Sequence, residues 1–151
     1  MQVPLLDLKE ITAKYREELH EAVLRVTDSG WYLQGRETKI FESNYAQYIG
    51  TKHCIGVANG LQALELMFRA YKELGVLHDG DEVLVPANTY IASIMSISQN
   101  NLVPILVEPT FPALCIDVAE LEARLSSRTR AFLMVHLYGR CTFSSQIKKI
   151  L

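Results

Sequence analysis

Three connections in the sequence carry side chains that can do chemistry, and each follows an apolar run that predicts a β-strand. They are Ala58 to Gln62, Pro86 to Tyr90 and His136 to Gly139. Because ligands of parallel α/β sheets bind outside the carboxyl ends of the strands, these three connections are the candidate sites.

Gly60 lies where a predicted strand is followed by a predicted helix. The free N–H groups of the first helical turn could hold a phosphate, which the helix dipole also favours. Alternatively, Gly60 is a tight-turn glycine that adopts a positive φ. The sequence contains neither G-x-G-x-x-G nor G-x-x-x-x-G-K-[ST], so the two common nucleotide fingerprints are missing and both interpretations stay open.

Tyr90 and His136 also allow two interpretations each. The Tyr90 ring could stack on a planar cofactor, or it could close the edge of the sheet. His136 could act as a general acid or base, or it could be a hydrogen-bonded structural histidine. The nearby acids Asp79, Asp81 and Glu82 favour a solvated loop, because four or more converging ligands are not visible, and no metal site is predicted.

Amino-acid composition limits the classes of protein to which the chain could belong. The chain has 151 residues, of which 49% are hydrophobic and 21% charged, and its net charge is −2. This length suits one compact domain with a hydrophobic core. The charge balance gives no electrostatic footprint for nucleic acid or for a membrane surface, so neither is an expected partner. Three scattered cysteines and an N-terminus without a basic, apolar leader predict a cytoplasmic protein with reduced thiols.

The hydrophobic pattern predicts an α/β fold. Two helices lead the chain, and from Cys54 onward strands and helices alternate, with strands that are continuous apolar runs. This order is typical of a mostly parallel sheet covered by helices on both faces. The predicted helices are Leu8–Ser29, Glu37–Ile49, Leu61–Leu74, Ile91–Asn100, Asp117–Leu125 and Ser145–Leu151, and the predicted strands are Cys54–Val57, Glu82–Val85, Pro104–Val107 and Ala131–Val135.

Taken together and in order, the motifs resemble the DegT/DnrJ/StrS family of sugar aminotransferases over essentially the whole chain. Within the family the chain looks closest to the branch that acts on dTDP-linked 3-keto-6-deoxyhexoses. The resemblance rests on the segments Gly56–Leu64, Gly80–Ser93 and Val135–Gly139, supported by Pro4–Leu8, Gly30–Gly35, Phe41-Glu42, Val107–Pro109 and Ile116-Asp117.

The resemblance implies the large pyridoxal 5′-phosphate (PLP) domain of the aspartate aminotransferase fold, fold type I. It implies a homodimer that moves an amino group, usually from glutamate, onto a nucleotide-linked keto sugar. Gly60, Leu61 and Gln62 correspond to the Gly-Thr-Asp segment that holds the cofactor phosphate in the family. Leu61 and Gln62 depart from that pattern; a lost hydroxyl contact costs about 1 kcal/mol, but backbone donors survive the change. Tyr90 corresponds to the aromatic residue that stacks on the pyridine ring.

One departure concerns the covalent chemistry. In the family, the Schiff-base lysine and the aspartate that pairs with the pyridinium nitrogen both follow the His-x-Tyr-Gly strand. Here no lysine lies between Lys72 and Lys148, and Lys148 and Lys149 suit a solvated helix face. We therefore assign no catalytic residue, expect residues 1–151 to be the N-terminal segment of the large domain without its remainder or the C-terminal domain, and expect the chain alone to be inactive.

Two alternatives remain open at this point. The chain could be a non-catalytic α/β remnant that serves as a binding or dimerisation module. It could also be an unrelated nucleotide-binding α/β domain, although the missing phosphate fingerprint counts against that interpretation.

Overall fold

The structure is a computed structural model that describes residues 4–150. The chain divides into two compact units, with the boundary between Gly56 and Val57. Among the described residues, no helix combines the length and the apolar composition that crossing a membrane requires.

The first unit is helical. Its helices are α1 Leu8–Lys14, α2 Arg16–Ser29 and α3 Arg36–Ile49. Asp7 caps α1, because its Oδ1 accepts hydrogen bonds from the N–H groups of Lys9 and Glu10 at 3.0 and 3.1 Å. Gly30 and Gly50 end α2 and α3 in the left-handed conformation, which a residue without a Cβ adopts readily.

The prediction of one continuous helix over Leu8–Ser29 is wrong. Tyr15 separates α1 from α2 with φ −114° and ψ 19°, and its N–H bonds to the carbonyl of Thr12, three residues back, at 3.2 Å. The apolar spacing continues across this break, so periodicity alone does not show it.

The predicted strand over Cys54–Val57 is also wrong. No strand forms at these positions, and Ile55 is 78% exposed. A strand needs a neighbouring backbone to bond with, whereas the Gly56 N–H donates to Oε1 of Glu42 at 2.6 Å. A side chain has therefore taken the donor that a sheet would have used.

The second unit contains a three-stranded parallel sheet in the order β2-β1-β3. The sequence predicted four strands, but with Cys54–Val57 unpaired only three form among the described residues. The elements are α4 Gly60–Glu73, β1 Glu82–Pro86, α5 Ile91–Ser98, β2 Val103–Val107, α6 Val118–Ala123, β3 Thr129–Phe132, a 3₁₀ turn Leu137–Gly139 and α7 Ser145–Ile150.

The last strand is shorter and earlier than the predicted Ala131–Val135. The Leu133 N–H still donates to the carbonyl of Leu84 at 2.8 Å. Two residues later, the carbonyl of Val135 accepts from the Thr142 hydroxyl at 3.3 Å instead of from a strand. The chain thus leaves the sheet because a nearby side chain competes for its backbone.

Strand β1 lies at the centre of the unit, and all five of its residues are buried. Side chains alternate between the two faces of a strand, so each face of β1 contributes to a separate core. Val83 and Val85 pack in the first core, and Leu84 packs in the second. The first core includes Phe68 of α4 and Ile97 of α5, and the second includes Leu121 of α6 and Ile147 of α7. The predicted arrangement of helices on both faces of a parallel sheet is confirmed.

A buried carboxylate fixes the beginning of β1. Glu82 is 4% exposed, and its Oε1 accepts from Nη2 of Arg128 at 2.6 Å. The Ser126 hydroxyl donates to Oε2, and the Glu82 N–H donates to the carbonyl of Arg128 at 3.0 Å. The Ser126 hydrogen bond and the Arg128 guanidinium hold the pKa of Glu82 below its ordinary value near 4.5. These bonds tie β1 to the residues that precede β3.

We expect Glu82→Gln to lower the free energy of unfolding at pH 7, because it removes the charge of a buried carboxylate that accepts hydrogen bonds from Ser126 and from the exposed Arg128. A carboxyl group with a lowered pKa in the folded state stabilises it above the unfolded-state pKa and loses that contribution as the pH falls through the folded-state value. The difference between wild type and variant should therefore shrink below pH 4.5. Urea unfolding at several pH values measures it.

The matched control is Glu120→Gln, which removes the exposed carboxylate that pairs with Arg124 at 3.6 Å. An exposed pair of this kind contributes about 0–1 kcal/mol, so this variant should unfold like the wild type. Equal effects of the two substitutions at pH 7 would contradict the role given to Glu82.

Candidate functional site

The beginning of α4 is organised by two side-chain hydrogen bonds. Asn59 precedes the helix, and its Oδ1 accepts from the N–H of Gln62 at 3.0 Å. The Gln62 carboxamide in turn accepts from the N–H of Ala58 at 3.1 Å. This reciprocal pattern resembles a capping box and fixes the direction in which the chain enters the helix.

Two backbone donors remain available in this turn. In the described part of the chain, the N–H groups of Gly60 and Leu61 have no hydrogen-bond partner. A Cβ placed on Gly60 would have nothing within 4 Å, so an approaching group meets open space there. Unpaired N–H groups at the positive end of a 14-residue helix form a site that suits a phosphate.

Tyr90 lies at the other predicted position, in the connection between β1 and α5. It precedes the first residue of α5, and its carbonyl accepts from the N–H of Ser93 at 3.0 Å. Ser93 is 7% exposed, and its hydroxyl lies 2.8 Å from that of Thr89. The backbone around Tyr90 is therefore fixed, while its side chain stays available, because the residue is 77% exposed.

One cleft of about 710 Å³ contains both features. Gly60, Leu61 and Tyr90 line it, so the structure brings together three of the four predicted residues. Apolar side chains make up much of the remaining wall, including Leu64, Met67 and Met95. A cleft of this volume lies within the usual range for small-molecule sites, about 300–1,000 Å³. A phosphate at the helix start and a planar ring at Tyr90 both fit this donor set.

The other candidates lie elsewhere. Gln62 does not line the cleft, since its carboxamide bonds to Ala58 and its N–H to Asn59. Nδ1 of His136 accepts from the N–H of Thr142 at 3.1 Å, which favours the structural interpretation of that histidine. The acid Asp79 forms an ion pair with Lys72, and that hydrogen bond lowers the pKa of the carboxyl group.

Two residues that shape the site were not identified in the sequence. Asn59 is not among the residues singled out in the sequence, although an Asn three residues before a Gln, ahead of an apolar run, is a helix-start signal. Ser93 gave no signal, because its contribution is a buried hydroxyl contact with Thr89 that only the folded loop creates.

Comparison with known proteins shows the family. Residues 13–151 match the DegT/DnrJ/EryC1/StrS aminotransferase family. The chain belongs to this family. It is 51% identical over 138 residues to a dTDP-3-amino-3,6-dideoxy-alpha-D-galactopyranose transaminase of Aneurinibacillus thermoaerophilus, covering 91% of the chain and 37% of that protein. It is 44% identical over 138 residues to a dTDP-3-amino-3,4,6-trideoxy-alpha-D-glucose transaminase of Streptomyces venezuelae, covering 91% of the chain and 35% of that protein.

Solved structures show the same fold. DesV of S. venezuelae, in complex with a ketimine intermediate, superposes with a TM-score of 0.85 at 41% identity, over 99% of the chain and 39% of DesV. An E. coli GDP-4-keto-6-deoxy-D-mannose-3-dehydratase with bound hydrated PLP gives 0.78 at 29% identity, over 87% of the chain and 34% of the dehydratase. The predicted fold type I is therefore confirmed, and the family depends on PLP. The chain spans well under half the length of these relatives.

We expect Asn59→Ala to destabilise the second unit by about 0.5–2 kcal/mol, the usual cost of losing an N-cap side chain. The variant leaves the Gln62 N–H without its acceptor, so the first turn of α4 should fray. Urea unfolding followed by circular dichroism measures the change. Asn59→Ser keeps a capping oxygen and should remain close to the wild type; equal losses in both variants would contradict the capping role.

Proposed function

We propose that this chain forms the N-terminal part of the cofactor domain of an enzyme that transfers an amino group to a nucleotide-linked keto sugar. The observation that carries the proposal is that one cleft is lined both by Gly60 and Leu61, whose N–H groups are unpaired among the described residues, and by the exposed Tyr90. The transaminase activity of the similar proteins from A. thermoaerophilus and S. venezuelae supports the choice of reaction. The amino donor we expect is an amino acid, most simply glutamate.

In this proposal the first turn of α4 holds the cofactor phosphate. The N–H groups of Gly60 and Leu61 donate to its oxygens, and the helix dipole adds a favourable field. Gln62 supports the site indirectly, since its carboxamide fixes the backbone at Ala58. Because the donors belong to the backbone, leucine can replace the threonine of the family pattern at position 61 without removing them.

Tyr90 provides the second contact. Its exposed ring offers an aromatic face for offset stacking on the pyridine ring. The hydrogen bond from Ser93 to the carbonyl of Tyr90 and the contact between Thr89 and Ser93 hold the loop. The backbone that carries the ring is thereby fixed before the cofactor arrives, which lowers the entropic cost of binding.

PLP, when bound, withdraws electrons from the carbon that carries the transferred amino group. The residues of this chain bind and orient it and limit the access of water. Leu61, Met67 and Met95 surround the cleft with apolar groups, and fewer water molecules strengthen the hydrogen bonds that remain inside.

We propose further that the whole protein is a homodimer and works in the cytoplasm, where the three free cysteines of the chain stay reduced. The alternative of a non-catalytic binding remnant is not favoured, because the similar proteins are transaminases. The alternative of an unrelated nucleotide-binding domain is likewise not favoured, because residues 13–151 match the aminotransferase family.

We expect the chain to bind PLP and Tyr90→Ala to weaken that binding about two- to tenfold, the equivalent of an aromatic contact of roughly 0.5–1.5 kcal/mol. Tyr90→Phe keeps the ring and should bind like the wild type. Titration with PLP, followed by its absorbance and by calorimetry, measures both affinities. Undetectable binding to the wild type, or an unchanged affinity in Tyr90→Ala, would contradict the assignment.

We also expect PLP to bind this chain without a stable covalent link. In the described part of the chain no lysine lines the cleft, and Lys148 and Lys149 lie on α7. Reduction with borohydride followed by peptide mapping tests this expectation, because it makes any link to a lysine permanent. A single stoichiometric adduct at either α7 lysine, accompanied by turnover, would be the opposite result.

A further inference from the structure

The chain contains a single Asn-Gly pair, Asn59-Gly60, which lies at the start of α4. Both residues are exposed, and a Cβ placed on Gly60 would have nothing within 4 Å. Asparagine is one of the thermally labile residues of proteins. A following glycine leaves its side chain unprotected, because glycine has no Cβ to hinder its own backbone nitrogen and bends freely. The pair therefore has the composition and the access for a reaction between its own two residues.

The backbone nitrogen of Gly60 is the nucleophile of such a reaction. Its N–H has no hydrogen-bond partner among residues 4–150, so no hydrogen bond has to break before it reacts. The nitrogen lies in the first turn of a 14-residue helix, where the positive end of the helix dipole favours a negative charge. Loss of the N–H proton, which makes an amide nitrogen nucleophilic, is therefore more favourable here than in the middle of a helix.

The side chain of Asn59 supplies the electrophile. Its Oδ1 accepts from the N–H of Gln62 at 3.0 Å. Negative charge develops on this oxygen when a nucleophile adds to Cγ, and a positioned N–H donor stabilises such an oxyanion. Nδ2 of Asn59 donates no hydrogen bond to any residue that the structure describes, so the nitrogen that has to leave is not held. The carboxamide is thus bonded at the oxygen that gains charge and unbonded at the leaving group.

We propose that Asn59-Gly60 is a self-modification site, at which the Asn59 side chain loses its nitrogen as ammonia. The deprotonated nitrogen of Gly60 forms a bond to Cγ of Asn59, the bond between Cγ and Nδ2 breaks, and ammonia leaves with a proton taken from water. Water then opens the cyclic imide at either carbonyl carbon, which gives aspartate or isoaspartate at position 59. One water molecule is consumed and one ammonia is released, and no atom is oxidised or reduced.

The reaction has a limited structural cost. Closing the imide ring turns the backbone of Asn59 out of its extended conformation, with φ −163° and ψ 174°, so the first turn of α4 opens during this step. The ends of helices open at far lower free energy than their centres, and both cores of the unit stay intact. An aspartate at position 59 closes the turn again, because aspartate caps a helix as well as asparagine does.

The product changes the charge of the cofactor cleft. A carboxylate at position 59 stands next to the N–H groups of Gly60 and Leu61, and its charge repels a phosphate bound there. This consequence rests on the proposed function, in which those N–H groups hold the cofactor phosphate. A bound phosphate would in turn occupy the Gly60 N–H, so the cofactor and the modification oppose each other.

Incubation of the full chain at mildly alkaline pH, followed by peptide mapping with mass spectrometry, measures the reaction at each asparagine. We expect aspartate and isoaspartate to accumulate at position 59, at a rate that rises with pH because the nucleophile is a deprotonated nitrogen. The other four asparagines are internal references, since each precedes a residue with a side chain: Asn44, Asn88, Asn100 and Asn101. Conversion of any of them as fast as that of Asn59 would overturn the proposal. An Asn59 that stays intact while the same chain converts in guanidinium chloride would also overturn it.

Two substitutions test the atoms of the reaction. Gly60→Ala keeps the N–H and places its Cβ in open space within a helix, so the chain should fold like the wild type. The added Cβ hinders the nitrogen and should slow conversion at Asn59 about tenfold or more. Asn59→Ser keeps a capping oxygen but has no amide nitrogen to lose, so position 59 should stay unchanged. Equal rates in the wild type and Gly60→Ala would contradict attack by the Gly60 nitrogen.

Titration with PLP during the same incubation separates this inference from the proposed function. The affinity of the wild type should fall as Asn59 converts, whereas Asn59→Ser should keep its initial affinity throughout, and PLP added at the start should slow the conversion. An intact Asn59 in a chain that binds PLP would overturn the modification and leave the proposed function standing. Conversion of Asn59 in a chain that never binds PLP would do the reverse. A fully converted chain that binds PLP as tightly as the fresh chain would overturn the link between them.

Discussion

The complete burial of β1 is the constraint on which the second unit depends. A strand enclosed on both faces has to place every backbone donor and acceptor in a ladder, so neighbours are needed at both of its edges. β2 and β3 fill those edges, and the two cores then form on opposite sides of the same five residues. At the one polar position, Glu82, burial is possible only because Arg128 and Ser126 satisfy the carboxylate.

The chemistry of the candidate site depends on which backbone N–H groups at the start of α4 lack a hydrogen-bond partner. Helix α4 satisfies its later N–H groups internally, and Asn59 satisfies that of Gln62. The N–H groups of Gly60 and Leu61, two residues that line the cleft, therefore stay without a partner among the described residues. The connection after β1 differs from the start of α4. Here Thr89 and Ser93 secure the loop, and the Tyr90 side chain stays uncovered. The backbone donors are thus available because they lack hydrogen-bond partners, whereas the Tyr90 ring is available because other residues form the hydrogen bonds of its loop.

Much of the fold could be predicted from the sequence, wherever the local hydrophobic pattern agrees with the environment that the segment has in the folded chain. The apolar run at Glu82–Val85 became a buried strand, and the glycine at position 60 began a helix. The equally apolar run at Cys54–Val57 did not become a strand, because a carboxylate fourteen residues earlier took its backbone donor. Tyr15 interrupted a helix whose apolar spacing continues without change. The first difference involves a side chain that competes for the backbone, and the second a backbone hydrogen bond from Tyr15 to Thr12; periodicity records neither.

The functional residues also divide into those that the sequence identifies and those that only the folded chain reveals. Gly60 and Tyr90 lie in motifs that resemble a known family, so they could be identified one by one. The segment Gly30–Gly35, by contrast, was recognised in the sequence only as support for the family resemblance. The close approach of the Gly35 backbone to the Trp31 ring in this segment appears only once the chain has folded.

The strand order has one more consequence. The helix that follows β1 packs on one face of the sheet, and the helix that follows β2 packs on the other. Successive crossovers therefore move apart at the carboxyl end of β1, at the point where the direction of strand addition reverses. In open α/β sheets such a switch point is a crevice that no connecting helix fills. Tyr90 lies in the connection that leaves β1 at this switch point, so the residues of that connection can change their chemistry while both cores stay as they are.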